Sequence, residues 1–317
     1  MRIRREDDVT FDIVKFEEID TMDELEKFTE QLFIDNLGFV PFYMEVKPGF
    51  GQHSDEILSD LLVEADEKDK DDIQINLLAK TLLRRTVEFN KAFYPHLVNM
   101  PNGLFDTVCD YTTGKMEHPY IPGKLLETYD RGGNLGFVLY GENRNVIDKA
   151  RSLQGSTGNP AEGTIRYKYG LRDAEGNIRP HKTANVVHCS DSCVSALKEL
   201  YMAIATPFTW KGYTEVVDVN ADYMSKLLDV TYLTLMTYGA ITEKEQEILA
   251  MQNGQKQGKQ GGKSTPAQKR LVKILEENKD KKPCPATEGI QKLITERKAE
   301  KVVNPSKSQD ISGGEGR

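Results

Sequence analysis

Short apolar runs flanked by turn residues alternate along this chain with longer segments of helical period, and no other feature narrows its folds as much. FVPFYMEV, before Lys47-Pro48-Gly49, and NLGFVLYGE, between glycines, read as strands. GTIRYKYGL and ANVVHCSD read as two more, joined by the polar loop RDAEGNIRPHKT. DELEKFTEQLFIDNLG sets Leu25, Phe28, Leu32 and Phe33 at helical spacing, with Gly38 as the stop. SDEILSDLLVEAD opens on Ser54 as an N-cap, residues 67–92 read as more charged helix, and NRNVIDKARSLQG is a helix closed by Gly155. SCVSALKELYMAI and ADYMSKLLDVTYLTLMTYG follow as helices, then ITEKEQEILAM behind a Thr242–Glu245 capping box. The stretch from Pro95 to Tyr120 has no assignable period. Helices and short strands in alternation bury their apolar sides by laying helices on a sheet, which predicts an α/β or α+β domain.

Charge divides the chain. The 317 residues carry a net −8, yet residues 251–317 hold 15 Lys/Arg against 8 Asp/Glu, so a body of −15 precedes a tail of +7. The two meet at QNGQKQGKQGGKSTP, a Gly/Gln/Lys-rich linker whose composition predicts flexibility. TPAQKRLVKILEENK, with Thr265 as N-cap, and ATEGIQKLITERKAEKVV are short helix candidates, and NPSKSQDISGGEGR is disordered by composition. Three parts are expected: a helical extension over 1–37, a domain over 38–252 that ends in helices, and a flexible basic tail over 253–317.

Composition excludes several classes. With 38 % hydrophobic and 29 % charged residues, the chain suits a soluble globular protein, and no segment approaches the roughly 20 apolar residues of a membrane span. MRIRREDDV has no apolar core, so a secretory signal is not expected and a cytoplasmic location is. Cys109, Cys189, Cys193 and Cys284 form no CxxC pair and no zinc spacing, which suits free thiols in a reducing compartment. The tail's lysines lack interleaved aromatics, so the expected partner there is a protein or the acidic body rather than nucleic acid.

The segment that carries chemistry is NVVHCSDSCVSALKEL. A strand delivers His188 to its end, a Ser/Asp-rich turn follows, and a helix 11 residues on returns Glu199 toward the strand. A histidine that acts as a nucleophile needs a partner to fix its tautomer, and a carboxylate is the natural one.

This segment resembles the N-x-x-H-G-S-D-S signature of nucleoside diphosphate kinases, which leads into a helix bearing a Glu. Upstream, KARSLQGSTGNPAEGTIR is similar to that family's R-x-x-x-G-x-T-x-P…G-x-I-R stretch. HPYIPGKLLE with NLGFVLYGENRNVIDKAR resembles its P-F-F…L-V segment, and FYMEVKPGFG its first strand, which ends in K-P-D. The matches stand in family order and span roughly Phe39 to Leu200.

The resemblance implies a ferredoxin-like βαββαβ antiparallel sheet with helices over one face. It also implies transfer of a γ-phosphate from a nucleoside triphosphate to a nucleoside diphosphate by a ping-pong route. On the matching positions, His188 takes the phosphate, Glu199 orients its ring and Ser190 supports it. Lys47 touches the phosphates and the ribose 3′-hydroxyl; Arg151, Thr157 and Arg166 hold the distal phosphates; Asn185 binds the ribose. Tyr120 falls where a Phe stacks on the base, and Tyr111 lies one residue from the position of a Tyr beside the histidine. Mg2+ is implied as an ion bridging the phosphates, with no protein cage. A homo-oligomer is implied as well, although the loop between Thr157 and Arg166, which helps pack the family's trimers and hexamers, is short here. Cys189 replaces the Gly after the family's His, Gly49 the Asp of K-P-D, and Tyr167-Lys168-Tyr169 the G-D-F after its Arg. These departures motivate a rival reading, a catalytically weak nucleotide-binding sensor or scaffold. Taken singly, each residue also has an ordinary role: Lys47 as a turn lysine, Arg151 as a helix end, Tyr120 as core packing.

Overall fold

The computed structural model describes residues 9–47, 50–62, 73–83, 134–178, 185–205 and 214–252. Five strands form one antiparallel sheet: β1 (Val40–Val46), β2 (Asn76–Leu83), β3 (Asn134–Gly141), β4 (Val187–Cys189) and β5 (Thr214–Val219). Their spatial order is β4-β1-β3-β2-β5. The first four strands have the order and directions of the split βαββαβ unit, as expected of a ferredoxin-like fold. β5 adds a strand outside β2, an addition the sequence reading missed.

The crossover helices are α3 (Ser54–Leu61), after β1, and α4 (Val146–Gln154), after β3. Both lie on the sheet face that carries Met44, Phe137 and Lys80. Lys80 reaches Asp55 of α3 at 3.1 Å, and a Cβ on Gly141 would run into Val146 of α4. The opposite face is covered by α6 (Cys193–Leu200), which packs on β1, and by α2 (Met22–Leu37) and α7 (Met224–Gln252), which pack on α6. Every residue of β1 is buried, as expected of a central strand covered on both faces. Leu25 and Phe33 of α2 and Ile241 and Ile248 of α7 belong to the same core as Phe42, Phe137 and Leu197. Each such side chain contributes about 1.5–3 kcal/mol on burial.

One local feature, the Gly38 stop, follows the sequence reading, and two others are new. Thr21 and Glu24 form a capping box at the start of α2, and Gly38, at φ 76°, ends it in the left-handed region before β1 begins. On β3, Gly136 leaves the space into which Tyr43 places its ring and hydroxyl, within 3.2 Å of Thr81 Oγ1.

Three expectations are corrected. Residues 76–83, read as part of a charged helix, form β2, because pairing with β3 and β5 outweighs the helical propensity of NLLAKTLL. Ile165–Tyr169, read as a strand, is a short helix, α5, with Ile165 buried beneath it. The two C-terminal helices are one: Thr242 does not cap a helix but donates to the Tyr238 carbonyl at 2.7 Å, and Glu245 turns to Lys198. The interior Gly239 costs about 1 kcal/mol, less than the burial of Leu233, Met236 and Ile241 around it contributes. Among the described residues, no helix is long and apolar enough to cross a membrane.

Candidate active site

β4 is a three-residue edge strand beside β1, and register pairs Glu45 with His188. Paired residues share a face, so His188, Glu45, Gly136 and Thr81 form a row across four strands on the α6 side. From α6, Glu199 reaches down onto that row. Its Oε1 lies 2.8 Å from His188 Nε2, and its Oε2 accepts a 2.6 Å hydrogen bond from Ser190 Oγ. Ser190 in turn accepts the Tyr43 backbone N–H at 3.0 Å, and its one proton has two acceptors in reach, Glu199 at 2.6 Å and the Tyr43 carbonyl at 3.1 Å, of which the nearer is the charged one. The carboxylate is thus held by two donors, with His188 and Glu199 side chains 12 % and 6 % exposed. With Nε2–H donating to Glu199, the lone pair of the imidazole sits on Nδ1.

The approach to His188 is strained. Val186 has φ 68°, and Val187 N–H donates to Asn185 O at 2.8 Å, a three-residue turn that a β-branched residue rarely adopts. Two groups hold it: Lys47 N–H donates to Val186 O at 2.8 Å, and Arg166 Nε donates to Asn185 O at 3.0 Å. The end of β1, which carries Lys47, is therefore bonded to the residue two before His188.

Arg166, on α5, also donates to Gly155 O, Thr157 Oγ1 and Val187 O, at 2.8–3.0 Å. Four of its five N–H vectors are engaged within the chain, and burial pushes its guanidinium down to about 10. Thr157 additionally lies 3.4 Å from Asn185 Nδ2. Arg151, at the end of α4, meets the Asp191 carbonyl at 2.6 Å and its carboxylate at 2.8 Å, and remains 42 % exposed. The structure thus gathers His188, Glu199 and Ser190 in one cluster and Thr157, Arg166 and Asn185 in a second. Lys47 and Arg151 touch the segments on either side of the histidine. Tyr111 and Tyr120 lie outside the described residues.

Cys189 pairs with Met44 and points to the other face of the sheet from His188, so its bulk does not crowd the ring. Burial pushes its thiol up, and Cys193 up to about 12; both are free. Two site neighbours escaped the sequence reading. Gln154 donates to Val187 O at 3.1 Å, and Glu45 is 1 % exposed. The one usable signal was a carboxylate placed inside the apolar run FYMEV. Among the described residues, no group of three His, Cys, Asp or Glu side chains could hold a metal ion.

No protein-family model and no curated protein matches the chain. Among solved structures, a nucleoside diphosphate kinase family protein from Babesia bovis is 21 % identical, covers 59 % of this chain and 99 % of its own, and has a TM-score of 0.37. A halophilic nucleoside diphosphate kinase from Halobacterium salinarum, in complex with CDP, is 18 % identical over 59 % of this chain and 97 % of its own, at 0.36. A transition-state mimic of nucleoside-diphosphate kinase from Borrelia burgdorferi, with vanadate and ADP, is 16 % identical over 51 % and 84 %, at 0.33.

Proposed function

We propose that this chain is a phosphotransferase that moves the γ-phosphate of a nucleoside triphosphate to a nucleoside diphosphate through phosphohistidine at His188. The observation that carries the reading is the bond between His188 Nε2 and Glu199, with Ser190 on the far carboxylate oxygen. A ring held in this way offers Nδ1 as the nucleophile. Nδ1 attacks the γ-phosphorus, the bond from phosphorus to the β–γ bridging oxygen breaks, and the diphosphate leaves with that electron pair. The imidazolium that forms keeps its Nε2 proton on Glu199, which stabilises the charge. A second diphosphate then attacks the phosphorus and restores the ring.

In this reading Arg151, Lys47 and Thr157 meet the phosphates, Arg166 holds the loop that presents Thr157, and Asn185 faces the ribose. Cations and hydroxyls suit phosphate oxygens, not a bare metal ion, so magnesium belongs to the substrate and arrives on the triphosphate. Tyr120 and Tyr111 are proposed at the base and beside the histidine.

The test is incubation with γ-labelled ATP and magnesium, followed by acid and base treatment. Acid-labile, base-stable label on His188 that a diphosphate discharges supports the reading; its absence sinks it. One observation favours a second reading, a nucleotide-binding sensor: Arg166 spends four N–H groups on the chain itself. Nucleotide binding without label would select that reading.

A further inference from the structure

Glu199 acts only where α6 places it, and α6 is held at both ends by helices outside the βαββαβ unit. At its start, Ser192 caps Ser195 N–H, and Glu26 of α2 accepts the Val194 N–H at 3.1 Å and the Ser192 hydroxyl at 2.6 Å. A carboxylate at this position also meets the positive end of the helix. Near its other end, Lys198, the neighbour of Glu199, donates to both carboxylate oxygens of Glu245 on α7, at 2.7 and 2.8 Å. Both partners are sealed from water, at 8 % exposure each. The two contacts form one charge cluster: Lys198 lowers and Glu245 raises the proton affinity of Glu26, whose carboxyl burial has already pushed up. α7 is tied back to α1 (Ile13–Glu17) as well, where Lys244 reaches the Glu17 carbonyl at 3.3 Å.

We propose that Glu245 and Glu26 are positioning residues. Through Lys198 and the α6 N-terminus, they set the height of Glu199 over β4 and so the His188–Glu199 bond. This rests on the phosphotransfer reading for its kinetic consequence but not for its geometry. Burying an ion pair gains little net stability against an apolar pair of the same volume, so the pair's distinctive contribution is a fixed register between helices. Here the register matters because Lys198 and Glu199 are consecutive: rotating or sliding α6 to relax one moves the other.

The experiment uses the full chain with E245Q, E26Q, E199Q and the double variant E199Q/E245Q. In single-turnover labelling with magnesium ATP, E245Q lowers the rate constant of His188 phosphorylation about tenfold, with nucleotide Kd within about twofold of wild type. E26Q has a smaller effect in the same direction. E199Q/E245Q is no slower than E199Q, because Glu245 acts through Glu199. A role in stability alone would lower the burst amplitude and leave the rate constant unchanged. Heteronuclear NMR of the His188 imidazole provides a readout without turnover. E245Q and E199Q are expected to shift the ring nitrogens in the same direction. Should E245Q fail to fold, the apolar replacement K198M/E245M keeps the volume and is expected to show the same slowed rate and the same NMR shift. A wild-type chain that forms no phosphohistidine overturns the functional reading, while the imidazole spectrum still decides the positioning. Unchanged rate constant and spectrum in the folded variants, or effects of E245Q and E199Q that multiply, overturn the inference.

Discussion

The two halves of the candidate site are built in opposite ways. The histidine half has short bonds between side chains: Nε2 to Glu199 at 2.8 Å, Glu199 to Ser190 at 2.6 Å. Its groups point at one another and are shielded from water, which makes each bond stronger and each loss more costly. The cationic half spends its charge on backbone. Arg166 closes three carbonyls and a threonine, and Arg151 grips the carbonyl and carboxylate of Asp191. The first half holds its histidine in a fixed orientation. The second is a scaffold first, in which Arg166 is committed to the chain and Arg151 remains half-exposed.

Mutations can break that comparison, and the largest effect belongs to the histidine. His188→Ala is expected to abolish the labelled intermediate while leaving the fold intact, at a modest cost in Tm because Glu199 loses a shielded donor but keeps Ser190. Transfer at a comparable rate in this variant would end the phosphohistidine reading. Glu199→Gln comes next. Phosphorylation is expected to slow by roughly 100-fold, at the low end of what a positioned acid–base group contributes, with nucleotide affinity unchanged. A large change in Kd with kcat intact would give Glu199 another role.

The two arginines sharpen the contrast. Arg166→Met removes four hydrogen bonds, although Val187 O keeps Gln154 and Asn185 O keeps the Val187 N–H, and is expected to lower stability by on the order of 3 kcal/mol, read as a fall in Tm with or without nucleotide. Arg151→Ala should leave Tm nearly unchanged and raise the nucleotide Kd about tenfold, the usual scale for a lost charge-assisted contact. The reverse pattern would mean that the scaffold and the ligand contact had been assigned to the wrong residues. Smallest of all is removal of residues 253–317, which the linker separates from every site residue. kcat/KM at low and moderate salt is expected to fall by less than about tenfold, or 1.4 kcal/mol. A greater loss would join the tail to the site.

How much of this was legible depends on sequence distance. The return of Glu199 to His188 spans 11 residues, within one strand–turn–helix, and the spacing alone allowed it. Gly38 likewise shows in sequence because a helix stop is closed by a residue four positions away. The helix Ile165–Tyr169 was misread because IRYKY is rich in β-formers, yet the segment folds as a helix whose Arg166 reaches the Val187 carbonyl of edge strand β4 with its side chain, not its backbone. The same local rule misplaced Thr242: a Thr followed three residues later by Glu suggests a cap, and burial carried the helix straight through it.

The sequence by itself determined strands β1, β3 and β4, the order of the motifs and a spacing that allows His188 to meet Glu199. Each of these rests on periods and spacings that act within a few turns of chain. Only the tertiary structure decided that Glu45 stands in the row of the histidine and that Arg166 closes the turn at Val186. It alone brought Glu26 to a helix start 168 residues downstream and Glu245 to Lys198 across 47. A polar side chain taken out of water must find its partner wherever packing leaves one, and packing is a property of the assembled layers, not of any local stretch of chain.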